Sequence, residues 1–302
     1  MGNYVRIMTA KRAGFCFGVK RAVDMAFNTA QDSSNVYTLG PIIHNPQVIE
    51  RLRSEGVEPV RTINSADIRV LIIRTHGVPR EVLEKLRRKK YKVIDATCPF
   101  VKKAQQYAKL LKEAGYQVVI IGDKEHPEVK GLVSYAGEDV VVVNRGEALP
   151  KLQNKVGVVV QTTQPLSLLK EIMLEMLEHV KEIKVYNTIC NSTALRLKET
   201  KAMARAVDMV LVVGGKNSAN TTQLAHLCTS MSVPTYHIET SSEIKESWFS
   251  GVQSVGITAG ASTPEWIIKE VEERIRDRDR GGRAPNGHPD KGRNKRTRKT
   301  LC

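Results

Sequence analysis

The sequence predicts an α/β protein built from three similar modules. Short apolar, β-branched runs alternate with amphipathic stretches, and the clearest runs are VLII at 70–73, VVII at 118–121 and MVLVV at 209–213. Continuous apolar runs of this length are typical of parallel strands that are buried on both faces. One local pattern also occurs three times, 82 and then 92 residues apart, as YVRIMTAKRAGFCFGVKRAVDMA, YKVIDATCPFVKKAQQYAKLLKE and IKVYNTICNSTALRLKETKAMAR. A repeat of this length indicates three small modules that share a core.

Each copy of this pattern places one cysteine between an extended run and a helical run. These residues are Cys16, Cys98 and Cys190. Pro99 directly follows Cys98, and proline is favoured as the first residue of a helix. A helix N-terminus favours the thiolate form of a nearby cysteine. We therefore expect three equivalent thiols, each at a strand-to-helix turn.

Two further sets of strand-to-helix turns carry polar residues. The first set, RVLIIRTHGVPREVLEKL, QVVIIGDKEHPEVKGLV and MVLVVGGKNSANTTQLAHL, offers His76, His126, Glu128, Ser218 and Asn220. The second set, VYTLGPIIHNPQVIERL, VGVVVQTTQPLSLLKEI and SVGITAGASTPEWIIKEV, offers His44, Thr163 and Ser262. Ligands of open parallel sheets bind at the carboxyl ends of strands, where helix N-termini present free N–H groups. Nine turns are therefore predicted to face one central site.

Each of these residues also has an ordinary structural interpretation. A single histidine after a strand is often only a hydrogen-bonded loop residue, and serine, threonine and asparagine are common helix N-caps. Their recurrence in three modules that also carry the cysteines favours a functional role over a purely structural one. Three other histidines, His179, His226 and His237, lack this recurrence and are predicted to be structural. Cys228, within TTQLAHLCTSMS, is predicted to be a small buried apolar residue.

Three thiols at such turns suit a metal centre. Structural zinc usually takes four protein ligands that include close pairs of the CxxC kind, and none of the three cysteines has such a neighbour. Three thiolates in a pseudo-threefold arrangement suit an iron–sulfur cluster in which one iron lacks a protein ligand. Zinc is therefore the weaker alternative, although the spacing alone does not decide between them.

The amino-acid composition limits the classes to which this protein can belong. The 302 residues are 41% hydrophobic, which is enough to bury a sizeable core. The sequence has no apolar run of about 18 residues, and its N-terminal segment lacks the apolar region of a signal peptide. Five scattered cysteines do not suggest a secreted disulfide framework. These features predict a soluble, cytoplasmic protein without membrane contact.

The net charge of +15 is concentrated at the C-terminal end. Residues 274–302 contain eleven Lys and Arg against three Asp, a net charge of +8, which leaves +7 for the rest. This segment has few apolar residues and is predicted to be a disordered basic tail. It could contact nucleic acid through phosphate neutralisation. With only 5% aromatic residues in the chain, base stacking is disfavoured, so nucleic-acid binding is not expected to be the main function.

Nine motifs in this order resemble one family closely. They are AGFCFGVKRAVDMA, GPIIHNP, RTHGVP, DATCPFV, HPEVKG, QTT, CNST, GGKNSANT and TAGASTP. Together they resemble the 4-hydroxy-3-methylbut-2-enyl diphosphate reductases, which catalyse the last step of the non-mevalonate (MEP) isoprenoid pathway. The resemblance covers roughly residues 4–273.

The resemblance implies a reaction, a cofactor and a fold. The reaction is reductive dehydroxylation of (E)-4-hydroxy-3-methylbut-2-enyl diphosphate to isopentenyl and dimethylallyl diphosphate. The cofactor is one 4Fe-4S cluster held by Cys16, Cys98 and Cys190, whose open iron binds the substrate hydroxyl. The fold is a pseudo-threefold trefoil around that cluster. Its expected modules are 14–97, 98–189 and 190–273 joined by 1–13, followed by a basic tail at 274–302.

The resemblance also implies residue roles. Glu128 would deliver a proton, and Thr163 would position the substrate hydroxyl and Glu128. The diphosphate would be bound by His44, His76, His126, Ser218, Asn220 and Ser262, with Ala219 beside them. The sequence shows no flavin or nicotinamide fold, so we expect electrons to come from an external ferredoxin or flavodoxin.

Two positions depart from the family pattern. Many members have a Ser-Ser-Asn run where this chain has Ala219 between Ser218 and Asn220. This removes one hydroxyl but retains the backbone N–H, so we expect retained activity with weaker substrate binding. A common Arg-Gln pair is replaced by Arg196 and Leu197, which puts any role of that glutamine in doubt.

Three other classes of function are less well supported. A nucleotide-binding P-loop is excluded because GGKNS at 214–218 lacks the required spacing. A protein that binds RNA through the basic tail would lose its main activity on truncation after Glu273. The activity of a reductase would change little. A redox sensor would not need Glu128 or three histidines.

Overall fold

The computed structural model describes residues 4–63 and 68–279, which form twelve β-strands, nine α-helices and two short 3-10 helices. The strands are β1 Arg6–Thr9, β2 Val36–Leu39, β3 Val57–Val60, β4 Val70–Ile73, β5 Lys92–Asp95, β6 Gln117–Ile121, β7 Val141–Val143, β8 Lys155–Val160, β9 Glu182–Tyr186, β10 Met209–Val213, β11 Thr235–Ile238 and β12 Ser254–Ala259. The helices are α1 Phe17–Asp32, α2 Pro46–Ser54, α3 Arg80–Arg87, α4 Pro99–Glu113, α5 Pro127–Ala136, α6 Leu166–Leu177, α7 Asn191–Ala204, α8 Ala219–Ser230 and α9 Glu265–Asp279. Among these residues no helix combines the length and the apolar character needed to span a membrane.

The strands form three four-stranded sheets, and every pairing within them is parallel. The first sheet has the order β3-β2-β4-β5, the second β7-β6-β8-β9 and the third β11-β10-β12-β1. The three orders are the same if the N-terminal strand β1 is counted as the fourth strand of the third sheet. The predicted α/β class with parallel strands is therefore confirmed.

The apolar strands are buried on both faces of each sheet. In β4, Ile72 packs into a hydrophobic cluster on one side, while Leu71 and Ile73 pack into another on the opposite side. The central strands β6 and β10 divide their residues in the same way. Because successive side chains of a strand point to opposite faces, a strand covered by helices on both faces needs apolar residues at every position. This explains the continuous runs in the sequence.

Helices connect the parallel strands, and each of the nine α-helices begins after the carboxyl end of a strand. The nine strands followed in this way are β1, β2, β4, β5, β6, β8, β9, β10 and β12. At Cys16, Cys98 and Cys190 the chain leaves the last strand of one sheet and enters a helix that packs with the next. Each cysteine turn therefore joins two neighbouring sheets.

The predicted start of the basic tail at Arg274 is wrong. Helix α9 continues to Asp279, and Ile275 is fully buried in the hydrophobic cluster on one face of the third sheet. Ile268, Val271 and Ile275 are spaced three and four residues apart and form one apolar stripe. The surrounding charges obscured this stripe in the sequence. The rest of the predicted tail, residues 280–302, lies outside the described part of the chain.

We predict that Ile275→Ala lowers the free energy of unfolding by about 2–5 kcal/mol, because it removes buried apolar volume and leaves a cavity. Glu273→Ala, at an exposed position of the same helix, should change it by less than about 0.5 kcal/mol. Urea unfolding followed by circular dichroism measures both. Equal stability of the two variants would contradict the packing of α9.

Candidate functional site

The three cysteines are structurally equivalent. Cys16, Cys98 and Cys190 are the N-cap residues of α1, α4 and α7. The backbone N–H of each donates to a carbonyl in the neighbouring turn, at 3.2 Å to Ala261, 2.9 Å to Thr75 and 2.9 Å to Thr162, respectively. All three side chains line one cavity.

All twelve residues that the sequence assigns to the site line this cavity. They are Cys16, His44, His76, Cys98, His126, Glu128, Thr163, Cys190, Ser218, Ala219, Asn220 and Ser262. Outside the cavity lie the histidines predicted to be structural, of which His237 bonds through Nε2 to the Gly214 carbonyl at 2.8 Å. Cys228 is fully buried in a hydrophobic cluster of the third sheet. The structure therefore brings the twelve predicted residues together in one cavity and places these other residues elsewhere.

The sequence-based division of the strand-to-helix turns into two sets was wrong in one respect. The sequence placed His76 with His126 and Ser218, and His44 with Thr163 and Ser262. In the sheets, however, β2, β6 and β10 occupy equivalent places, and so do β4, β8 and β12. His44 is therefore the counterpart of His126 and Ser218, whereas His76 is the counterpart of Thr163 and Ser262. The turns look alike in sequence, and only the strand order distinguishes them.

The three histidines form a compact group beside Arg74. The ring centroids of His76 lie 4.7 Å from His44 and 5.2 Å from His126. Burial is the main cause that lowers the pKa of each, to about 4 for His126, and the nearby charge of Arg74 lowers it further. In the absence of an anion the rings are therefore neutral near pH 7, and each retains one N–H donor.

This histidine group suits an anion better than a cation. The ligand atoms of His44, His76 and His126 all lie within 4.8 Å of one another, which would also suit a metal ion. However, Arg74 adds a positive charge, and His126 and Ser218 are the N-caps of α5 and α8. Helix N-termini attract anions and repel cations. A phosphate group would pair with these donors.

Serine and asparagine side chains extend the polar surface from the third sheet. Ser262 Oγ lies 3.1 Å from the His44 carbonyl, to which it donates, and 3.3 Å from Ser218 Oγ. Asn220 Oδ1 accepts from the Ala261 N–H at 3.1 Å. Gly215 brings the third module close, since a Cβ there would lie 2.7 Å from the His44 carbonyl oxygen. The hydroxyl and amide groups are thus held at fixed positions next to the histidines.

Glu128 is a buried carboxyl group with two hydrogen bonds. Its Oε1 accepts from the Thr162 N–H at 2.7 Å, and its Oε2 accepts from Thr162 Oγ1 at 2.9 Å. Burial raises the pKa of Glu128 to about 7, although the Thr162 bonds act in the opposite direction. A carboxyl group with this pKa can exchange a proton near neutral pH.

The partner of Glu128 is Thr162, so the prediction that Thr163 positions this carboxyl group is wrong. Thr163 also lines the cavity, but its Oγ1 accepts from Gln161 Nε2 at 3.0 Å. The two threonines are adjacent after β8, and the sequence gave no signal for which one faces Glu128.

The sequence analysis also missed Arg74, which lies beside the histidine group. It directly follows β4 in the RTHGVP motif, and its place at the carboxyl end of a strand was the available signal.

Arg196 and Leu197, where the chain departs from the family, have structural roles. The guanidinium of Arg196 is buried and donates to the carbonyls of Gly14 and Ala259 at 2.9 and 2.8 Å. It thereby fixes the loop before Cys16. Leu197 packs against a hydrophobic cluster of the third sheet. The substitution therefore adds apolar packing and does not place a leucine in the cavity.

Two thiols of the site, those of Cys98 and Cys190, need a cation to become thiolates. The predicted effect of the helix N-terminus is outweighed, since burial raises the pKa of Cys98 to about 11 and also raises that of Cys190. The N–H groups of Phe100 and Val101 oppose this shift only in part. Metal coordination deprotonates thiols that would otherwise stay neutral. The donor set therefore fits a metal centre.

Thiols of neighbouring modules lie close together around the cavity. Gly18 leaves room for a thiol from the next module, because a Cβ there would lie 2.5 Å from Cys98 Sγ. Three thiol donors without a close CxxC pair suit an iron–sulfur cluster in which one iron lacks a protein ligand, whereas structural zinc usually takes four protein ligands.

The fold and the site together define a class of protein: three parallel α/β modules around one cavity lined by thiols on one side and anion-binding donors on the other. Residues 7–276 match the family of LytB proteins. The chain belongs to this family.

Curated relatives match almost the whole chain. A 4-hydroxy-3-methylbut-2-enyl diphosphate reductase of Pelobacter propionicus is 54% identical over 273 residues, which cover 90% of this chain and 98% of the relative. The enzyme of the same name from Geobacter sulfurreducens is 53% identical over 277 residues, 91% of this chain and 98% of the relative. The similarity therefore includes all three modules.

Two solved structures share the fold. A structure of (E)-4-hydroxy-3-methyl-but-2-enyl diphosphate reductase, described as the terminal enzyme of the non-mevalonate pathway, is 47% identical, with a TM-score of 0.69 and coverage of 90% of this chain and 99% of that one. A Plasmodium falciparum E-1-hydroxy-2-methyl-but-2-enyl-4-diphosphate reductase is 26% identical, with a TM-score of 0.81 and coverage of 90% and 87%.

We predict that Thr162→Val raises the pKa of Glu128 above its value of about 7, because the lost hydroxyl stabilises the ionised carboxylate. Thr163→Val should leave this pKa unchanged, since its hydroxyl bonds to Gln161. A carboxyl-carbon NMR titration of both variants measures the shift. The assignment of Thr162 is wrong if the larger shift occurs in Thr163→Val.

Proposed function

We propose that this chain catalyses the reductive dehydroxylation of (E)-4-hydroxy-3-methylbut-2-enyl diphosphate to isopentenyl and dimethylallyl diphosphate. One observation carries the proposal: three thiols, one buried carboxyl group and a group of neutral hydrogen-bond donors line the same cavity. The relatives and solved structures with this fold carry the name of that reductase. The reaction needs each of these three chemical features.

The proposed cofactor is a 4Fe-4S cluster held by Cys16, Cys98 and Cys190. Three protein ligands leave one iron without a protein donor. When bound, the cluster would supply electrons and a Lewis-acidic iron for the substrate hydroxyl. Burial raises the pKa values of Cys98 and Cys190, and the N–H groups at the helix N-termini lower them only in part, so these thiols need a cationic centre to ionise.

The diphosphate end of the substrate would bind on the other side of the cavity. Neutral His44, His76 and His126 can each donate one N–H, and Ser218 and Asn220 add side-chain donors at the start of α8. Arg74 adds a positive charge nearby. An anion placed there would raise the pKa values of the histidines and strengthen its own binding.

Glu128 would deliver a proton to the departing hydroxyl. The C–O bond breaks, its oxygen leaves as water, and two electrons with a second proton convert the allylic fragment into either alkene product. A pKa of about 7 allows a substantial fraction of Glu128 to be protonated at neutral pH. Thr162 would keep the carboxyl group in place through both of its oxygens.

The electrons would come from an external carrier of the ferredoxin or flavodoxin type. The proposed reaction consumes two electrons per turnover, and a carrier of this class delivers them one at a time. Residues 280–302, which contain most of the basic charge outside the modules, have no role in this scheme.

We predict that Glu128→Gln lowers kcat by about 10²–10⁴-fold, the usual contribution of a positioned acid. Glu125→Gln should change it little, because Glu125 is exposed in the same loop and pairs with Lys130. Turnover is measured anaerobically with a chemical reductant, at equal iron content. A normal rate for Glu128→Gln would exclude the proposed acid.

The same mechanism predicts a pH dependence. Because the protonated form of Glu128 is the active one, the wild-type rate should fall as the pH rises through about 7. This fall should be absent from the residual activity of Glu128→Gln. A pH profile from about 6 to 9 tests the sign, and a rate that rises across the same range would contradict it.

We predict that Cys98→Ala loses most of its bound iron and sulfide, because one of three protein ligands is removed. Cys228→Ala is the matched control, since Cys228 is buried in a hydrophobic cluster away from the cavity. Iron and acid-labile sulfide are quantified in both proteins after anaerobic purification. Equal iron content in the two variants would contradict the ligand assignment.

We predict that Ala219→Ser lowers the KM for the substrate by about three- to tenfold with little change in kcat. Ala219 lines the cavity at the first residue of α8, and one added hydrogen bond to a charged group is worth about 1 kcal/mol or more. Steady-state kinetics separate the two constants. An unchanged KM would show that position 219 does not face the diphosphate.

A further inference from the structure

The three cysteine helices share a surface pattern that the proposed chemistry does not explain. Each exposes a large apolar side chain near its N-terminus and a lysine three residues further on. The pairs are Phe17 with Lys20, Phe100 with Lys103, and Leu195 with Lys198. Residues three apart lie side by side on a helix surface. We call these six residues the docking face.

The apolar members of the docking face are exposed to solvent. Phe17, Phe100 and Leu195 are 67%, 43% and 42% exposed, respectively. Phe17 and Phe100 are the two exposed phenylalanines in the described part of the chain, and they follow Cys16 and Cys98 by one and two residues. Leu195 is one helical turn further from Cys190. Each group follows a cysteine of the same cavity, and exposed apolar groups brought together in this way indicate a contact surface for another molecule.

The lysines give this face a positive charge that is not fully neutralised. Lys20 pairs with Asp24 at 2.8 Å. In contrast, none of the ion pairs found in the described residues involves Lys103 or Lys198. Both amines therefore remain available to carboxylates of a partner.

Aromatic packing holds one of these amines in place. Lys103 Nζ lies 5.6 Å from the ring centroid of Tyr107. Tyr107 in turn stacks on Tyr186 with a centroid distance of 4.0 Å. This stack joins α4 to the end of β9, just before the turn of Cys190. The surface between two of the cysteine helices is thus rigid, basic and partly aromatic.

We propose that the docking face binds a small acidic protein that carries one electron at a time. This inference rests on the proposed function, because it places the carrier over the helix ends that would hold the iron–sulfur cluster. Aromatic and apolar contacts with a basic surround suit a short-lived complex of small area, which is typical of redox partners. Opposite charges on the two proteins would speed the encounter.

The substrate diphosphate is not the ligand of this face. Its donors lie inside the cavity, on turns before α2, α3, α5, α8 and α9. Lys103 and Lys198 lie outside the cavity lining, on exposed sides of α4 and α7. Their charge is therefore accessible to a partner that approaches from solvent.

The test uses two charge-reversed double variants of the holoenzyme. Lys103→Glu with Lys198→Glu changes the docking face. Lys89→Glu with Lys90→Glu makes the same change in net charge at exposed positions just before β5, at the edge of the sheet opposite the cysteines. Binding of an acidic plant-type ferredoxin, and in a second arm of a flavodoxin, is measured by biolayer interferometry at several salt concentrations.

We expect the docking-face variant to bind the ferredoxin at least about tenfold more weakly at low salt, with a smaller salt dependence. The control variant should stay within about twofold of wild type. Phe17→Ala should weaken binding at every salt concentration alike, because it removes apolar contact and no charge. Turnover with a chemical reductant should be unchanged in all of these variants, since none of the substituted positions lines the cavity; Phe100, which does line it, is left unchanged.

Two results would overturn the inference: wild-type affinity of the docking-face variant for both carriers, or equal loss of affinity in the control variant. A concentration-dependent dimer that disappears in the docking-face variant would also overturn it, because a second copy would then occupy the face. These failures differ from failure of the proposed function. In that case the wild-type protein would lack iron and sulfide, or would not reduce the substrate with a chemical reductant.

Discussion

The site depends on one repeated hydrogen bond, which ties each cysteine turn to the turn of the adjacent strand. The N–H groups of Cys16, Cys98 and Cys190 donate to carbonyls beside Ser262, His76 and Thr163, respectively. Each cysteine is therefore fixed relative to a polar residue on the turn that follows the adjacent strand. Because the strands are parallel, these paired turns all lie at the carboxyl edges of the three sheets. The identical strand order of the sheets then brings three such pairs to one cavity.

Burial sets the chemistry of this cavity. It keeps the histidines neutral, raises the pKa of Glu128 to about 7 and raises that of Cys98 to about 11. In each case the charged form is disfavoured because the group has lost contact with water. Such a site gains most from ligands that bring their own charge. A cationic metal centre would ionise the thiols, and an anionic diphosphate would pair with the histidines, with Arg74 and with the helix N-termini.

The sequence allowed prediction of the fold class and of the gathering of twelve residues in one cavity, because both depend on repeated patterns. Apolar runs such as 70–73 mark strands buried on both faces, and cysteines at regular intervals mark the repeated turn. The equivalence of His44 with His126 could not be predicted, since it follows from strand order. Similarly, only the geometry after β8 separates Thr162 from Thr163.

The charged composition also led to a wrong prediction at the C-terminal end of the third module. The charges after Glu273 indicated a tail, but the apolar stripe that ends at Ile275 continues α9 through them. Burial of the cysteines could not be predicted from the sequence of their turns either, and it reversed the expected direction of the Cys98 pKa. The role of Arg196 as a clamp on the Cys16 loop depends on contacts between residues far apart in the chain.

The central claim is that three thiols hold a cluster in which one iron is left for the substrate. Mössbauer spectroscopy of the iron-57-enriched, anaerobically purified protein tests it most directly. The account predicts that about one iron in four has parameters distinct from the other three, and that only this signal shifts when the allylic diphosphate is added. A spectrum with four equivalent irons that does not respond to substrate, or an iron-free protein with full activity, would contradict it.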